Sequence, residues 1–179
     1  MPQQRMPGEE RRSYIINKLK SQTRPVTGKT LADETGVSRQ VIVTDMALLK
    51  TAEEPIIATN RGYLYMDKQE DETLHRKVIV CEHTPEQTEE ELQIIVDSGV
   101  TVVDVIVEHS FYGELTGSLM LQSRFDVEQF ISVISNEEAS LLSELTEGIH
   151  LHTIEADDEQ KIIQACERLR EAGILYTEK

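Results

Sequence analysis

A glycine between two short helical patterns constrains the first third of the chain more than any other feature. Thr27 and Ser38 favour helix N-caps, and Gly36 separates the two helices that they would begin. In the second helix Ile42 and Met46 lie one turn apart, which predicts a buried face. A helix, a tight glycine turn and a second capped helix are typical of a helix-turn-helix.

The opposite face of the second helix carries side chains suited to base edges. Arg and Gln form paired hydrogen bonds with guanine and adenine, and a small apolar side chain can contact a thymine methyl group. The alternative is a three-helix module that contacts only other proteins. We expect this face to bind operator DNA through Ser38, Arg39, Gln40, Val43 and Thr44.

A short hairpin is predicted after these helices. Apolar runs over 56–59 and 63–66 flank Asn60 and Arg61, and Gly62 is expected to supply the turn. With an earlier helix over 9–21, the pattern predicts a winged helix-turn-helix spanning residues 9–68. Asn60 and Arg61 would reach a phosphate or the minor groove from the hairpin tip.

Charge divides the chain into two parts. Residues 1–70 carry 11 Lys and Arg against 9 Asp and Glu, a net of +2, whereas residues 71–179 carry 7 against 24, a net of -17. This contrast predicts two domains with different partners, residues 9–68 and 74–179, joined by a charged linker over 67–73. Because the first domain has little net charge, tight DNA binding would need a dimer on two half-sites.

Strand-like and helix-like patterns alternate in the second part. Their β-α-β-β-α-β order, followed by one more helix, predicts a ferredoxin-like domain and an α+β protein overall. Helices would cover one face of the sheet and leave the other for a ligand, a partner or a dimer mate. The strands are expected over 77–81, 101–108, 115–121 and 149–155, and the helices over 84–98, 126–135 and 157–172.

Two of the five histidines stand two residues apart in the last predicted strand. His150 and His152 would point to the same face and could hold one metal ion together, although they could also be exposed strand residues. His83 follows the first strand, which can lie close to the last in one sheet. Glu91 is a weaker candidate because it is one acid among four on its helix. These side chains would suit Zn, Ni or Fe(II).

Three further residues are candidates for a small-molecule site. His109 and Tyr112 close the second strand and could line a pocket for a small aromatic acid, or could be a turn histidine and a core tyrosine. Arg124 follows the third strand and could pair with an anionic group, or could be a surface arginine.

Other sequence features narrow the class of protein. Cys81 and Cys166 are far apart without CxxC spacing, which fits a reducing cytoplasm and two buried apolar residues. No apolar run approaches the roughly 20 residues of a membrane span. The chain has no nucleophile elbow, P-loop, GxGxxG or HExxH pattern, so we do not expect an enzyme.

The chain resembles the nicotinate-responsive transcriptional repressors of bacterial NAD biosynthesis and salvage genes, in which a winged helix precedes a three-histidine domain. The resemblance extends from about Arg11 to Leu175. Ser110, where proline is expected, and Thr44, where a longer polar side chain is expected, depart from it. The stretches that carry the resemblance are 36–43, 83–88, 107–115 and 148–155.

The resemblance implies a cytoplasmic homodimer that represses its operator when nicotinic acid binds. It also implies one divalent transition metal per subunit, held by side chains that look like His83, Glu91, His150 and His152. Two alternatives remain from the residues themselves: a metal-dependent enzyme acting on a pyridine carboxylate, and a metal-sensing repressor without an organic ligand.

Overall fold

The computed structural model describes residues 5–66, 73–137 and 140–177. The chain divides into two compact units, Met1–Glu70 and Asp71–Lys179. Of the predicted linker over 67–73, only residue 73 belongs to the described part. No helix among the described residues is long and apolar enough to cross a membrane.

The first unit contains the predicted helix-turn-helix. Gly36 has a left-handed backbone with φ 67°, which ends the first helix of the pair and lets the chain turn sharply. The Thr27 hydroxyl accepts from the Thr30 N–H, and the Ser38 hydroxyl accepts from the Val41 N–H, so both predicted caps are confirmed. The helices are α1 (Gly8–Lys20), α2 (Gly28–Thr35) and α3 (Arg39–Thr51).

A buried ion pair joins α1 to α3. The Arg11 guanidinium donates from Nε to Asp45 Oδ2 at 2.5 Å and from Nη2 to Oδ1 at 3.1 Å. Both side chains are buried in the unit that contains the apolar cluster of Ile15, Leu19 and Ile42. The two bonds fix the rotation of α3 about its axis, and with it the side chains on its outer face.

The hairpin consists of β1 (Ile56–Thr59) and β2 (Gly62–Tyr65), which pair antiparallel. Gly62 pairs with Thr59, so the turn is formed by Asn60 and Arg61, and the prediction that Gly62 supplies the turn was wrong. Gly62 has φ 132°, and a side chain there would overlap the carbonyl group of Val26. The glycine is needed for this close approach of two backbone segments.

The second unit has the predicted β-α-β-β-α-β order and final helix. A 3₁₀ turn over Pro85–Gln87 precedes its first helix, and the Gln87 side chain accepts from the Thr84 N–H as the capping box predicts. The elements are β3 (His75–Glu82), α4 (Thr88–Asp97), β4 (Thr101–His109), β5 (Gly113–Leu121), α5 (Arg124–Glu137), β6 (Ile149–Ala156) and α6 (Glu159–Glu171).

The four strands of the second unit form one antiparallel sheet in the order β3-β6-β4-β5. The last strand lies between the first two, so the first βαβ unit is split. One core joins the inner face of this sheet to α4, α5 and α6. On the outer face Val78 and Val80 are exposed. The α+β class is confirmed, and the adjacency of β3 and β6 positions the histidines.

Candidate metal centre

The pairing of β3 with β6 places two histidines on the helix-covered face of the sheet. His150 lies opposite Cys81 and His152 lies opposite Ile79, in the same alternation as the fully buried Ile154. Both histidines are 2% exposed, so they are core residues. The alternative of two exposed strand histidines is therefore excluded.

Glu91 reaches the same place from the first turns of α4. Of the three acidic residues in its first turn, Glu89 and Glu90 are exposed, whereas Glu91 is 1% exposed. Its neighbours on the buried stripe of the helix are Leu92 and Ile95. A carboxyl group on the apolar stripe of a helix requires partners, because burial of a charge without them is costly.

Three imidazoles supply those partners. Nε2 of His83 lies 2.7 Å from Oε2 of Glu91, and Nε2 of His150 lies 3.1 Å from Oε1. Nε2 of His152 lies 3.4 Å from Oε2. The rings of His83 and His150 meet edge to face with centroids 4.9 Å apart, as do those of His150 and His152. The structure thus brings together all four residues that sequence analysis proposed as metal ligands.

The other ring nitrogen of each histidine faces a backbone carbonyl. Nδ1 of His83 lies 2.7 Å from the oxygen of Thr84, and Nδ1 of His150 lies 2.9 Å from that of Gly148. Nδ1 of His152 lies 2.6 Å from the oxygen of Asp104. A carbonyl only accepts, so each Nδ1 carries a proton and donates.

This arrangement leaves each Nε2 with either a lone pair or a second proton. Lone pairs on three Nε2 atoms would repel the carboxylate of Glu91, so the cluster requires added positive charge. Protons can supply it, and so can a metal ion. In metal sites, the second ring N–H of a histidine ligand commonly donates a hydrogen bond to a backbone carbonyl in this way.

His152 is the one histidine of the cluster whose Nε2 has no hydrogen bond, even if that nitrogen is protonated. Its Nε2 is buried, and the 3.4 Å approach to Glu91 does not have hydrogen-bond geometry. A buried nitrogen without a hydrogen bond is uncommon and needs an explanation. The unpaired donor, aimed at a carboxylate beside two more imidazoles, fits a divalent transition metal.

The electrostatics of the cluster agree with this need for positive charge. Burial lowers the pKa of His83 and of His152. For His83 the hydrogen bond with Glu91 and the charge of Glu91 outweigh burial, and for His152 the charge of the nearby carboxylate does, so both pKa values are raised. Burial raises the pKa of Glu91, but the surrounding imidazoles hold it well below its usual range. The carboxylate is therefore ionised, and it stabilises cations at the ring nitrogens.

One member of the cluster, Cys81, was not predicted from the sequence. Cys81 is buried as expected, but its sulfur lies among the polar atoms of the cluster rather than among apolar groups alone. Cys81, Glu91 and His150 each offer a ligand atom, these atoms lie within 4.8 Å of one another, and the group could hold a metal ion. The alternation of β3 signals this position, because Cys81 precedes His83 by two residues.

Gly148 allows the backbone of β3 to approach the start of β6. It has φ 96°, and a side chain at this position would overlap the carbonyl oxygen of His83. The Gly148 carbonyl accepts from Nδ1 of His150 and from the His83 backbone N–H. This glycine therefore connects two of the three histidines through its backbone.

A cavity of about 640 Å³ opens beside His83. Its wall carries three carboxylates, those of Glu82, Glu144 and Glu147. An anionic molecule would be repelled here unless positive charge lay close by, and His83 connects the cavity wall to the cluster. The remaining lining residues are Thr84, Pro85, Gln87, Ser143, Gly148, Gly173, Leu175, Tyr176 and Thr177.

The three residues proposed for a small-molecule site do not form one group. Nδ1 of His109 accepts from the Phe111 and Tyr112 N–H groups at the β4–β5 turn, and the His109 and Tyr112 rings lie 5.1 Å apart. Tyr112 is 78% exposed, so it is not a core tyrosine. Arg124 begins α5, beyond the opposite end of β5.

Arg124 is already paired with a carboxylate. Its Nε and Nη2 atoms donate to the two oxygens of Asp97 at 2.8 and 2.6 Å, and this contact lowers the pKa of Asp97. β5 separates Arg124 from His109 and Tyr112 along its length, so the three residues do not line one pocket within the subunit. Their role in ligand binding stays a prediction. None of the three lines the cavity beside His83.

Comparison with known proteins assigns the chain to a family. Residues 76–178 match the 3H domain family and residues 11–64 match the HTH domain family. The chain is 51% identical over 170 residues to the Transcription repressor NadR of Bacillus subtilis (strain 168), covering 94% of each protein. It is 38% identical over 170 residues to the Probable transcription repressor NiaR of Thermotoga maritima, covering 95% of each.

The chain belongs to the 3H-domain transcription repressors. The resemblance found in the sequence is confirmed at the level of the family. Because both relatives carry names of transcription repressors, one of them as probable, this 3H-domain repressor is a regulator of transcription and not an enzyme. The HTH match identifies its first unit as DNA-binding.

The proposed DNA-binding residues of this 3H-domain repressor lie on one exposed surface of α3 and on the hairpin. Val43 is 43% exposed, and the Thr44 hydroxyl donates to the Gln40 carbonyl at 3.1 Å. In this geometry the Thr44 hydroxyl donates within the helix and not to an acceptor outside it. Ser38, Arg39, Gln40 and Asn60 are also exposed, whereas Arg61 is half-buried.

Proposed function

We propose that this chain represses genes of NAD biosynthesis or of niacin salvage and transport, with nicotinic acid as co-repressor and a metal ion in the second unit. It would act in the cytoplasm as a homodimer, with one divalent ion per subunit, Zn, Ni or Fe. The observation that carries the proposal is the convergence of three Nε2 atoms on the buried carboxylate of Glu91.

The proposal assigns the metal to His83, Glu91, His150 and His152. The Nδ1 atoms of the three histidines donate to backbone carbonyls, so their Nε2 atoms are already oriented toward one point. A bound ion would supply positive charge in a domain of net charge -17. The imidazoles would give up any Nε2 protons when the ion binds.

We infer that nicotinic acid occupies the cavity beside His83. The carboxylates of Glu82, Glu144 and Glu147 oppose an anion there, so its binding should depend on the charge held by the cluster. His109, Tyr112 and Arg124 do not line this cavity, and their contact with a ligand stays a separate prediction. Coupling between metal and nicotinate would be reciprocal, each tightening the other by the same factor.

We propose that the first unit, residues 9–68, contacts operator DNA through the N-terminal turns of α3 and the tip of the hairpin. Arg39 and Gln40 would contact base edges together with Val43 and Thr44, and Ser38 would contact the sugar-phosphate backbone of the DNA. Asn60 and Arg61 would reach a phosphate or the minor groove. The second unit, residues 74–179, would bind metal, bind nicotinate and form the dimer.

A metal-sensing repressor without an organic ligand is the second candidate. It is favoured by the three carboxylates on the cavity wall, which disfavour an anion. The experiment measures binding of promoter fragments of niacin transport and NAD biosynthesis genes by metal-loaded and chelated protein, with and without nicotinic acid. Tighter binding only with metal and nicotinate together supports the proposal, and a response to metal alone supports the second candidate.

A further inference from the structure

Cys81 lies in the cluster but is not one of the four residues assigned to the metal. It lies opposite His150 across β3 and β6 and is completely buried. Its sulfur, a Glu91 oxygen and a His150 nitrogen lie within 4.8 Å of one another. Two donors on one zinc ion, at bonds of about 2.0–2.3 Å, lie no further apart than the sum of the two bonds. The 4.8 Å within which the three atoms lie is slightly more than this sum, so a small movement of the side chains would bring all three onto one ion.

We propose that Cys81 binds the same ion as Glu91 and His150, as a thiolate. The inference rests on the proposed function, because it assumes an ion in this cluster. When the ion binds, the thiol proton leaves to the solvent and a sulfur–metal bond forms. No atom changes its oxidation state, and no other reactant is needed.

Charge balance in a buried site supports this role. A divalent cation with Glu91 and neutral imidazoles leaves one uncompensated positive charge in the core. A Cys81 thiolate offsets this charge and so lowers the cost of burying it, while the loaded site stays one unit more positive than the empty site with neutral imidazoles. The mixed set of sulfur, nitrogen and oxygen donors would favour Zn, Ni, Co or Fe over Mg, Ca and Mn.

Cys166 provides a matched control. It is the other free cysteine, and it is also buried. It lies on α6 among the apolar side chains of the core, outside the group of donor atoms that contains Cys81. Cys81→Ser and Cys166→Ser therefore make the same chemical change in the same core.

The experiment loads the full chain with Co(II) and records its absorption spectrum. A sulfur-to-cobalt charge-transfer band in the near ultraviolet reports a thiolate ligand, and the visible d–d bands report an ion in the protein. We expect the charge-transfer band in wild type and in Cys166→Ser, and its loss in Cys81→Ser. X-ray absorption of the zinc-loaded wild type, which needs no variant, should give a sulfur neighbour at about 2.3 Å.

The outcomes separate this inference from the proposed function. Visible d–d bands without a charge-transfer band in wild type, or a charge-transfer band that survives Cys81→Ser, would overturn the role of Cys81 and leave the metal centre standing. Absence of both sets of bands from wild type would overturn the metal centre, and the role of Cys81 with it.

Discussion

Arg11 and Asp45 form a two-point ion pair in the core of the first unit, and it orients the helix that carries the proposed DNA contacts. The Asp45 side chain is 2% exposed, and Arg12 approaches the same carboxylate at 3.4 Å. The orientation of α3 is therefore set from its buried side, independently of the residues on its outer face.

Removal of one member of this ion pair should destabilise the first unit strongly. Arg11→Met leaves the Asp45 carboxylate buried without its main partner, which costs about 3–5 kcal/mol for such pairs. Lys18→Met is the control, because the Lys18–Glu34 pair is more exposed and is screened by solvent, so its loss should have little effect. Urea unfolding of the full chain measures both variants. Equal destabilisation would show that the buried pair has no special importance.

Arg39 should determine sequence preference. Arg39→Ala and Gln40→Ala should each weaken operator binding by about 1–3 kcal/mol if each removes a base-edge contact. Arg39→Lys keeps the charge but loses the two-point geometry, so it should lose preference while its salt dependence is retained. Fluorescence anisotropy with operator and scrambled DNA distinguishes the two effects. Unchanged preference in Arg39→Ala would contradict the assigned face.

Arg61 should contribute affinity without preference. As a phosphate contact, its replacement by alanine should weaken binding to all sequences about equally and reduce the salt slope by about 1. The same anisotropy titrations, repeated over a range of salt concentrations, measure this slope. A loss confined to operator DNA would instead place Arg61 against a base.

Chelation should abolish nicotinate binding and lower operator affinity to the ligand-free level. His152→Ala should have the same effect, because it removes a donor aimed at Glu91. His75→Ala is the matched control, since His75 is exposed at the start of β3. Calorimetric titration of nicotinate into loaded, chelated and variant protein measures the effect. Equal affinities in all of them would disprove the link between metal and ligand.

Metal-free and metal-loaded protein should respond to pH in opposite directions. Without metal, Glu91 raises the pKa of His83 and His152 despite their burial. The resulting stabilisation is fully present below about pH 6.5 and is lost as pH rises through the raised values. The lowered pKa of Glu91 adds stability that is present above about pH 4.3 and lost as pH falls through the lowered value.

With metal bound, protons compete with the ion for Nε2, so stability should rise with pH over the range in which the metal-free protein loses it. Thermal unfolding of both forms between about pH 6 and pH 8 compares the two trends across the range where histidines titrate. Parallel trends would indicate that the ion does not bind at these nitrogens.

Local signals in the sequence predicted much of the fold. Caps at Thr27 and Ser38 were readable because a hydroxyl beside a helical pattern satisfies nearby N–H groups. The turn at Gly62 was misread, because the partner that requires a glycine is Val26, far away in sequence. Which strands would be neighbours in the sheet also depends on contacts between distant segments.

The candidate site was predictable only where the spacing of residues within one strand or helix determines their positions. The spacing of His150 and His152 places them on one face of any strand, and Glu91 lies on the buried stripe of α4 with Leu92 and Ile95. The separation of Arg124 from His109 and Tyr112 was not readable from the sequence, because it follows from the direction of β5. Cys81 was missed because it was interpreted as a buried apolar residue, although it precedes His83 by two residues and lies opposite His150 when β3 and β6 pair.

The donor atoms around Glu91 come from stretches that lie far apart along the chain. A bound ion would act as a reversible cross-link that closes loops of 8 residues, from His83 to Glu91, and of 59 residues, from Glu91 to His150. Such a link restricts the unfolded chain more than it changes the folded one. Scarcity of metal would then shorten the lifetime of the repressor in the cell, whether or not nicotinate is present.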